Sequence, residues 1–485
     1  MPPQALAALA TLIGVVPHGN RLELKLDHGA GELVWVTPSA FHFRRVLDGA
    51  LTEANTPTQG SVDLEVEELP GQVRVRSKFV EVSIQKNGVL VRVRRLDGAP
   101  LMEDASEAQP SGAGVTWERA MRPESRYYGL GPRAEDGFDL RGKTAQPDSP
   151  FLYSTLGYGE YHAAKGAYRF DFTAGGRYSV HAPAIDYYFY YGPTIKQVFE
   201  EHNGVRGTAA MWPVAADRFG SWATLRTALL RIVQGAVSSM IAPTFDLGPY
   251  ANAPPELQQR ARQLGSLVAE LSPGRLGISD FRKQLDSFYD VYAMEAHDKG
   301  FPVWHPLPFQ FPDDPECARH VDEFMLGDEM LVAPIVAPGG SRELYLPQGV
   351  WTNLETGEVS PGRKTIAVKT QSLPVFARNG TIVPLDSAAG RALHYFPTLG
   401  AEFFFVEEEG WSQVHAAPAG DEMRLEIESK KARAYEWVVH NVERPKSVGF
   451  AGKEAQWTYD TAHRLVRIPV KVAAGEDAIV NLAWE

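Results

Sequence analysis

Met211–Tyr250 reads MWPVAADRFGSWATLRTALLRIVQGAVSSMIAPTFDLGPY, and this stretch decides the fold. Met211–Ala216 is a short apolar run, and Ser221–Ser238 sets Trp222, Leu225, Leu229, Ile232, Val233 and Val237 at helical spacing. Met240–Phe245 is a second apolar run, closed by the turn residues Asp246-Leu247-Gly248-Pro249. Strand, helix and strand in that order imply a parallel βαβ crossover.

On either side the pattern changes. From Asn20 to about Gly192, short alternating runs (Leu22–Leu26, Glu32–Val36, Val73–Val80, Val89–Val93) are separated by Gly, Pro and Asp turns, the spacing of an antiparallel sandwich. Thr194–His202 predicts a short helix, with Ile195, Val198 and Phe199 on one face. Beyond the crossover, Pro254–Leu271 and Ser279–Lys299 predict two more helices, with Gly274–Gly277 as a break between them. Phe301–Leu385 returns to β, and Leu393–Glu485 reads as a further small β-domain, with alternation at Arg424–Ile427, Tyr435–Val439 and Leu465–Val470. The expected class is mainly β with an α/β insert.

A chain of 485 residues, 44% hydrophobic and 11% aromatic, has material for several cores. A formal net charge of −12 without a Lys/Arg-rich run argues against a nucleic-acid or anionic-membrane partner. No uncharged apolar run reaches the ~18–20 residues of a membrane span, since Thr227–Pro243 carries Arg231 and Gln234. Cys317 is the only cysteine, so no intrachain disulfide can form, and the opening MPPQALAALATLIGVV has no basic residue before its apolar middle. Both point to a cytoplasmic protein. Asn379-Gly380-Thr381 reads as a turn rather than a glycosylation site.

Other motifs resolve to scaffold. Gly129–Gly131 lacks the Gly-x-x-Gly continuation of a nucleotide site and reads as a tight turn. Tyr187, Tyr188, Tyr190 and Tyr191 alternate along a strand and read as core and interface rather than a sugar platform. His297, His305 and His320 are too scattered for a metal centre, and no cofactor is expected. No Gly-x-Ser-x-Gly motif marks a nucleophilic serine.

Several blocks together resemble glycoside hydrolase family 31, the α-glucosidase family. They are Tyr127-Tyr128-Gly129-Leu130-Gly131, Leu140-Arg141-Gly142-Lys143, Asp186–Thr194, Ser221–Arg226, Thr244–Tyr250, Pro255-Glu256-Leu257 with Arg260 and Gln263-Leu264-Gly265, and the dense run from Glu295 to Leu385. The resemblance implies an N-terminal β-sandwich (1–193), a truncated (β/α)-barrel remnant (194–305), and proximal (306–390) and distal (391–485) C-terminal β-domains. The first two thirds of the family's barrel have no counterpart: Asn203–Thr208 passes directly to Met211-Trp212. The loop that reaches over the family's sugar pocket has shrunk to Thr144–Pro150.

Chemistry is lost with the strands. A retaining glycosidase needs two carboxyl groups ~5–5.5 Å apart, a nucleophile and an acid/base. The family's nucleophile run Trp-x-Asp-Met-x-Glu does not occur, and the acid/base run Trp-x-Gly-Asp is matched by Trp212-Pro213-Val214-Ala215, with Ala215 in place of the carboxylate. The family's sugar-gripping Arg-x-His pair is replaced by Leu271-Ser272-Pro273-Gly274-Arg275-Leu276. No catalytic residue is therefore assigned. Asp246, Asp217 and Trp212 are the ligand-facing candidates, weighed against a turn aspartate for Asp246 and a loop or helix-capping carboxylate for Asp217. The expected function is that of a catalytically defective relative kept for carbohydrate binding or structure. The alternative is an active α-glycosidase using displaced or partner-supplied carboxylates. At about 95 residues, Thr208–Phe301 is far short of the ~250 a closed barrel needs, so its sheet is expected to be covered by the flanking β-domains, or else by a second copy in a homodimer.

Overall fold

In the strand Arg21–Leu26, Leu22 and Leu24 are buried while Arg21 and Lys25 face solvent, and this two-residue period recurs through most of the molecule. The computed structural model describes residues 10–53, 56–207, 212–214, 219–268, 270–272, 276–277, 279–387, 390–408 and 410–485. The chain divides into two units, Met1–Thr208 with Val237–Met240, and Ala209–Ala236 with Ile241–Glu485.

The first unit is built on three antiparallel sheets. The largest has eight strands, in the order Leu12–His18, Arg21–Leu26, Ala30–Thr37, Ala40–Val46, Ile185–Tyr191, Tyr158–His162, Phe151–Ser154 and Tyr127–Gly129. Its core is aromatic: Phe41 stacks on Phe189 at 5.0 Å, and Trp35 meets Phe41 edge-on. Val73–Val80, expected as one run, is two strands, Gln72–Arg76 and Val80–Gln85, paired as a hairpin. Ser77 makes the turn, its Oγ accepting the N–H of Phe79 at 3.2 Å and of Val80 at 3.3 Å.

Arg119 is sealed inside this unit between Asp104 and Glu160, with Tyr178 OH donating to Glu160 Oε1 at 3.0 Å and the guanidinium 4.7 Å from the Tyr187 ring. Burial on this scale is tolerated because each carboxylate has a charged or hydroxyl donor. The Gly129–Gly131 turn is as tight as expected: Gly129 has φ 108°, and a Cβ there would stand 2.4 Å from Phe151 O. Tyr187, Tyr188 and Tyr190 are buried. The helix Ile195–Arg206 runs four residues beyond the expected end and opens on a capping box in which Thr194 and Gln197 satisfy each other's backbone N–H.

In the second unit the crossover appears as read. Trp212–Pro213, the helix Trp222–Ala236 and Pro243–Asp246 form a parallel pair with its connecting helix. Leu271 corrects the sequence reading, for the second helix stops at Gly265 and Glu270–Ser272 is a third parallel strand beside Pro243–Asp246. The third expected helix is two, Asp280–Gln284 and Asp286–Lys299, parted at Leu285. A six-stranded sheet then runs in the order Trp304–Pro306, Phe324–Leu326, Met330–Val332, Val375–Arg378, Val350–Asn353 and Val359–Pro361. The last stretch pairs a five-stranded sheet that begins at Ile382–Ser387 with a six-stranded one that begins at Ala401–Glu407. Among the described residues no helix is long and apolar enough to cross a membrane.

Candidate functional site

In a parallel βα sheet the chemistry belongs at the carboxyl ends of the strands. Here the three strands end at Pro213, Asp246 and Ser272, and Val214 N–H extends the first by donating to Thr244 O at 3.0 Å. Asp246 is exposed there, and its Oδ1 accepts the Gly248 N–H at 2.8 Å. That bond closes an Asx turn into the 3-10 helix Gly248–Tyr250. Among the described residues, no hydrogen bond or ion pair joins Asp246 to another titratable side chain.

Aromatic packing fixes the rest of the strand-end region. Tyr250, 1% exposed, fills the space over Gly220, where a Cβ would fall 2.4 Å from its ring, and its centroid is 5.9 Å from that of Phe245. Trp212 is turned inward, 8% exposed, its indole against Gly235 of the crossover helix, where a Cβ would fall 2.6 Å from Cζ2. Ala215 and Asp217 lie outside the described residues. The expected candidates thus divide: Asp246 faces solvent from a strand end, and Trp212 is core.

The polar residues of the helix Pro255–Gly265 have a different task. Arg260 is 1% exposed and donates to Thr370 O at 2.6 Å, Gln371 O at 3.1 Å and Ser372 O at 3.0 Å. Gln259 and Gln263 each add a 2.8 Å bond to Gln371 O, and Glu256 Oε1 accepts the Gly339 N–H at 2.9 Å. The helix that follows the second parallel strand is therefore fastened to the loops of the six-stranded sheet. Sequence reading matched Arg260 and Gln263 to a motif without finding this task; the signal was their spacing, which with Glu256 lines one face of the helix.

Comparison with known proteins decides the ancestry. Residues 300–383 match the glycosyl hydrolase family 31 C-terminal domain. Alpha-glucosidase 2 of Bacillus thermoamyloliquefaciens is 26% identical over 318 residues, covering 55% of this chain and 40% of that protein. An alpha-glucosidase of Saccharolobus solfataricus is 44% identical over 94 residues, 19% of this chain and 13% of that one. The similarity is thus to glycoside hydrolase family 31, and its family model matches the C-terminal domain at residues 300–383.

The fold agrees: the Flavobacterium johnsoniae GH31 dextranase FjDex31A, in complex with isomaltotriose, superposes with TM-score 0.83 at 13% identity, across 98% of this chain and 100% of that one. The chain nevertheless spans less than half the length of the curated relatives it matches. The matched block 300–383 holds the six-stranded sheet rather than the parallel strands.

Proposed function

We propose that this protein is a non-hydrolytic family 31 relative in which a truncated barrel, Thr208–Phe301, survives as scaffold and carbohydrate binding is what remains. The observation that carries the reading is Asp246: the one described candidate carboxylate at a strand end is spent on its own turn. A retaining mechanism requires a second carboxyl group at ~5–5.5 Å. Ala215 in the acid/base position and the missing nucleophile run support the same conclusion from sequence. The partition at 193, 305 and 390, a cytoplasmic setting for a chain with the single buried Cys317, and a homodimer as the fallback cover for the parallel sheet belong to this proposal.

The second reading is an active α-glycosidase that uses Asp246 and Asp217, or carboxylates from another chain. It is favoured by the exposure of Asp246 at the end of a parallel strand. Turnover of a panel of aryl α-glycosides separates the two. No hydrolysis above background is expected; turnover above about 1 s⁻¹, an ordinary enzyme rate, that disappears in Asp246→Asn or Asp217→Asn would establish the second reading instead.

A further inference from the structure

The hairpin Ala401–Glu407 with Gly410–Ala419 has two unlike faces. Phe403 and Phe405 are buried, and Phe403 stacks on Phe288 of the helix Asp286–Lys299 at 6.2 Å. On the outer face Phe404 stands opposite Gln413, and Val406 opposite Trp411, so that Phe404 and Trp411 are diagonal neighbours on one surface. Phe404 is 38% and Trp411 49% exposed. All ten tryptophans lie among the described residues, and Trp411 is the only one of them more than about a third exposed.

Between this face and the helix lies a cleft of about 670 Å3, within the range of small-molecule sites. Its polar lining carries five carboxyl groups, of which Glu295 pairs with a lysine and three others lie beside a histidine. Lys299 Nζ is 3.2 Å from Glu295, His297 Nδ1 is 2.9 Å from Asp298, His305 Nδ1 is 3.2 Å from Asp328, and His415 Nδ1 is 3.8 Å from Glu402. Glu329 is 8% exposed and accepts from Tyr292 OH at 2.6 Å; burial first, and then the neighbouring Asp328 charge, push its pKa up to about 8. At neutral pH it is mainly a protonated acid and can donate.

We propose that this cleft binds a neutral oligosaccharide, with Trp411 and Phe404 stacked on sugar rings and Glu402, Asp328 and Gln413 engaging hydroxyl groups. A polyol gains from a floor of exposed rings bordered by acceptors and donors. The inference rests on the carbohydrate-binding part of the proposed function, and it locates that binding away from the parallel strand ends.

Calorimetry of the full chain with maltotriose and with isomaltotriose tests it, alongside Trp411→Ala, Phe404→Ala and Asp246→Asn. The expected result is saturable binding of one or both sugars, weakened about tenfold or more by Trp411→Ala and several-fold by Phe404→Ala, and unchanged by Asp246→Asn. Trp411 is half exposed, so its variant is expected to keep the wild-type melting temperature. Binding that survives both aromatic substitutions but is lost in Asp246→Asn overturns the cleft and leaves carbohydrate binding at the strand ends. Saturable, Trp411-dependent binding of a lysine oligopeptide without sugar binding overturns it in favour of a cationic ligand. Absence of binding to either sugar overturns both the cleft and the carbohydrate-binding reading.

Discussion

Arg260 Nη2 donates to the Thr370 carbonyl at 2.6 Å, tying a helix of the parallel unit to a loop more than a hundred residues later in the chain. With Nη1 on Gln371 and Ser372, one buried guanidinium satisfies three successive carbonyls. Arg260→Met should cost about 2–3 kcal/mol, because the charged hydrogen bonds that one guanidinium makes to three carbonyls are lost together. Urea unfolding followed by circular dichroism reads this as a lower midpoint, with Arg260→Lys intermediate. An unchanged midpoint in Arg260→Met would show that the loop holds its place without the clasp.

Gly235 and Gly204 both sit in helices, and the same substitution should act oppositely on them. Alanine is about 1 kcal/mol better than glycine in a helix. At Gly204 the nearest atom to a new Cβ is the flexible Gln59 Nε2 at 3.4 Å, so Gly204→Ala should be neutral or stabilising. At Gly235 the Cβ would drive into the Trp212 indole, so Gly235→Ala should lose about 1–2 kcal/mol net, with a red-shifted tryptophan emission as Trp212 moves outward. Equal effects at the two sites would refute the packing assigned to Trp212.

These contacts show what the sequence could and could not disclose. The crossover helix was legible because Leu225, Leu229, Ile232 and Val233 repeat at helical spacing and are all buried. The third parallel strand was not, since Leu264, Leu267, Val268 and Leu271 continue the apolar pattern of the helix before it, and the break after Gly265 depends on packing: Leu271 Cδ1 lies where a Gly265 Cβ would be 2.8 Å away. The split of Val73–Val80 was hidden for a related reason, as Ser77-Lys78-Phe79 is a weak turn signal that works through the Ser77 hydroxyl. At the strand ends the sequence left Asp246 open between a ligand-facing carboxylate and a turn aspartate, and the bond from Gly248 N–H that makes the turn is visible only in the fold. The outward pair Phe404 and Trp411 needed the hairpin register, because three successive phenylalanines do not say which of them faces solvent.

Glu329 should make stability depend on pH. The folded chain keeps its proton up to about pH 8, whereas an unfolded chain releases it near the ordinary value of about 4.3. Between those limits the folded state binds more protons, so the contribution of this group to stability falls as pH rises, and levels off above about 8. Glu329→Gln keeps an oxygen for Tyr292 OH and has no proton to lose. The variant should therefore gain on the wild type as pH is raised from 5 to 8, by as much as about 4 kcal/mol. Parallel urea-unfolding curves for the two proteins over that range would show instead that Glu329 is ionised in the folded chain.

Asp246 offers the sharpest separation of turn from chemistry. If its carboxylate only caps the Gly248 N–H, what matters is an acceptor oxygen in that place, and charge is irrelevant. Asp246→Asn keeps the oxygen and should melt with the wild type, whereas Asp246→Ala loses the bond and about 1 kcal/mol. A carboxylate serving as nucleophile or acid/base would behave in the reverse manner: asparagine would be as inactive as alanine, and release of a buried or crowded charge would raise the stability of both. Melting temperatures of the two variants, paired with turnover of an aryl α-glucoside, give the answer. An Asn variant as stable as the wild type, an Ala variant that is weaker, and no hydrolysis by any of the three is the expected pattern. Hydrolysis by the wild type alone would return Asp246 to the reaction and restore the glycosidase reading.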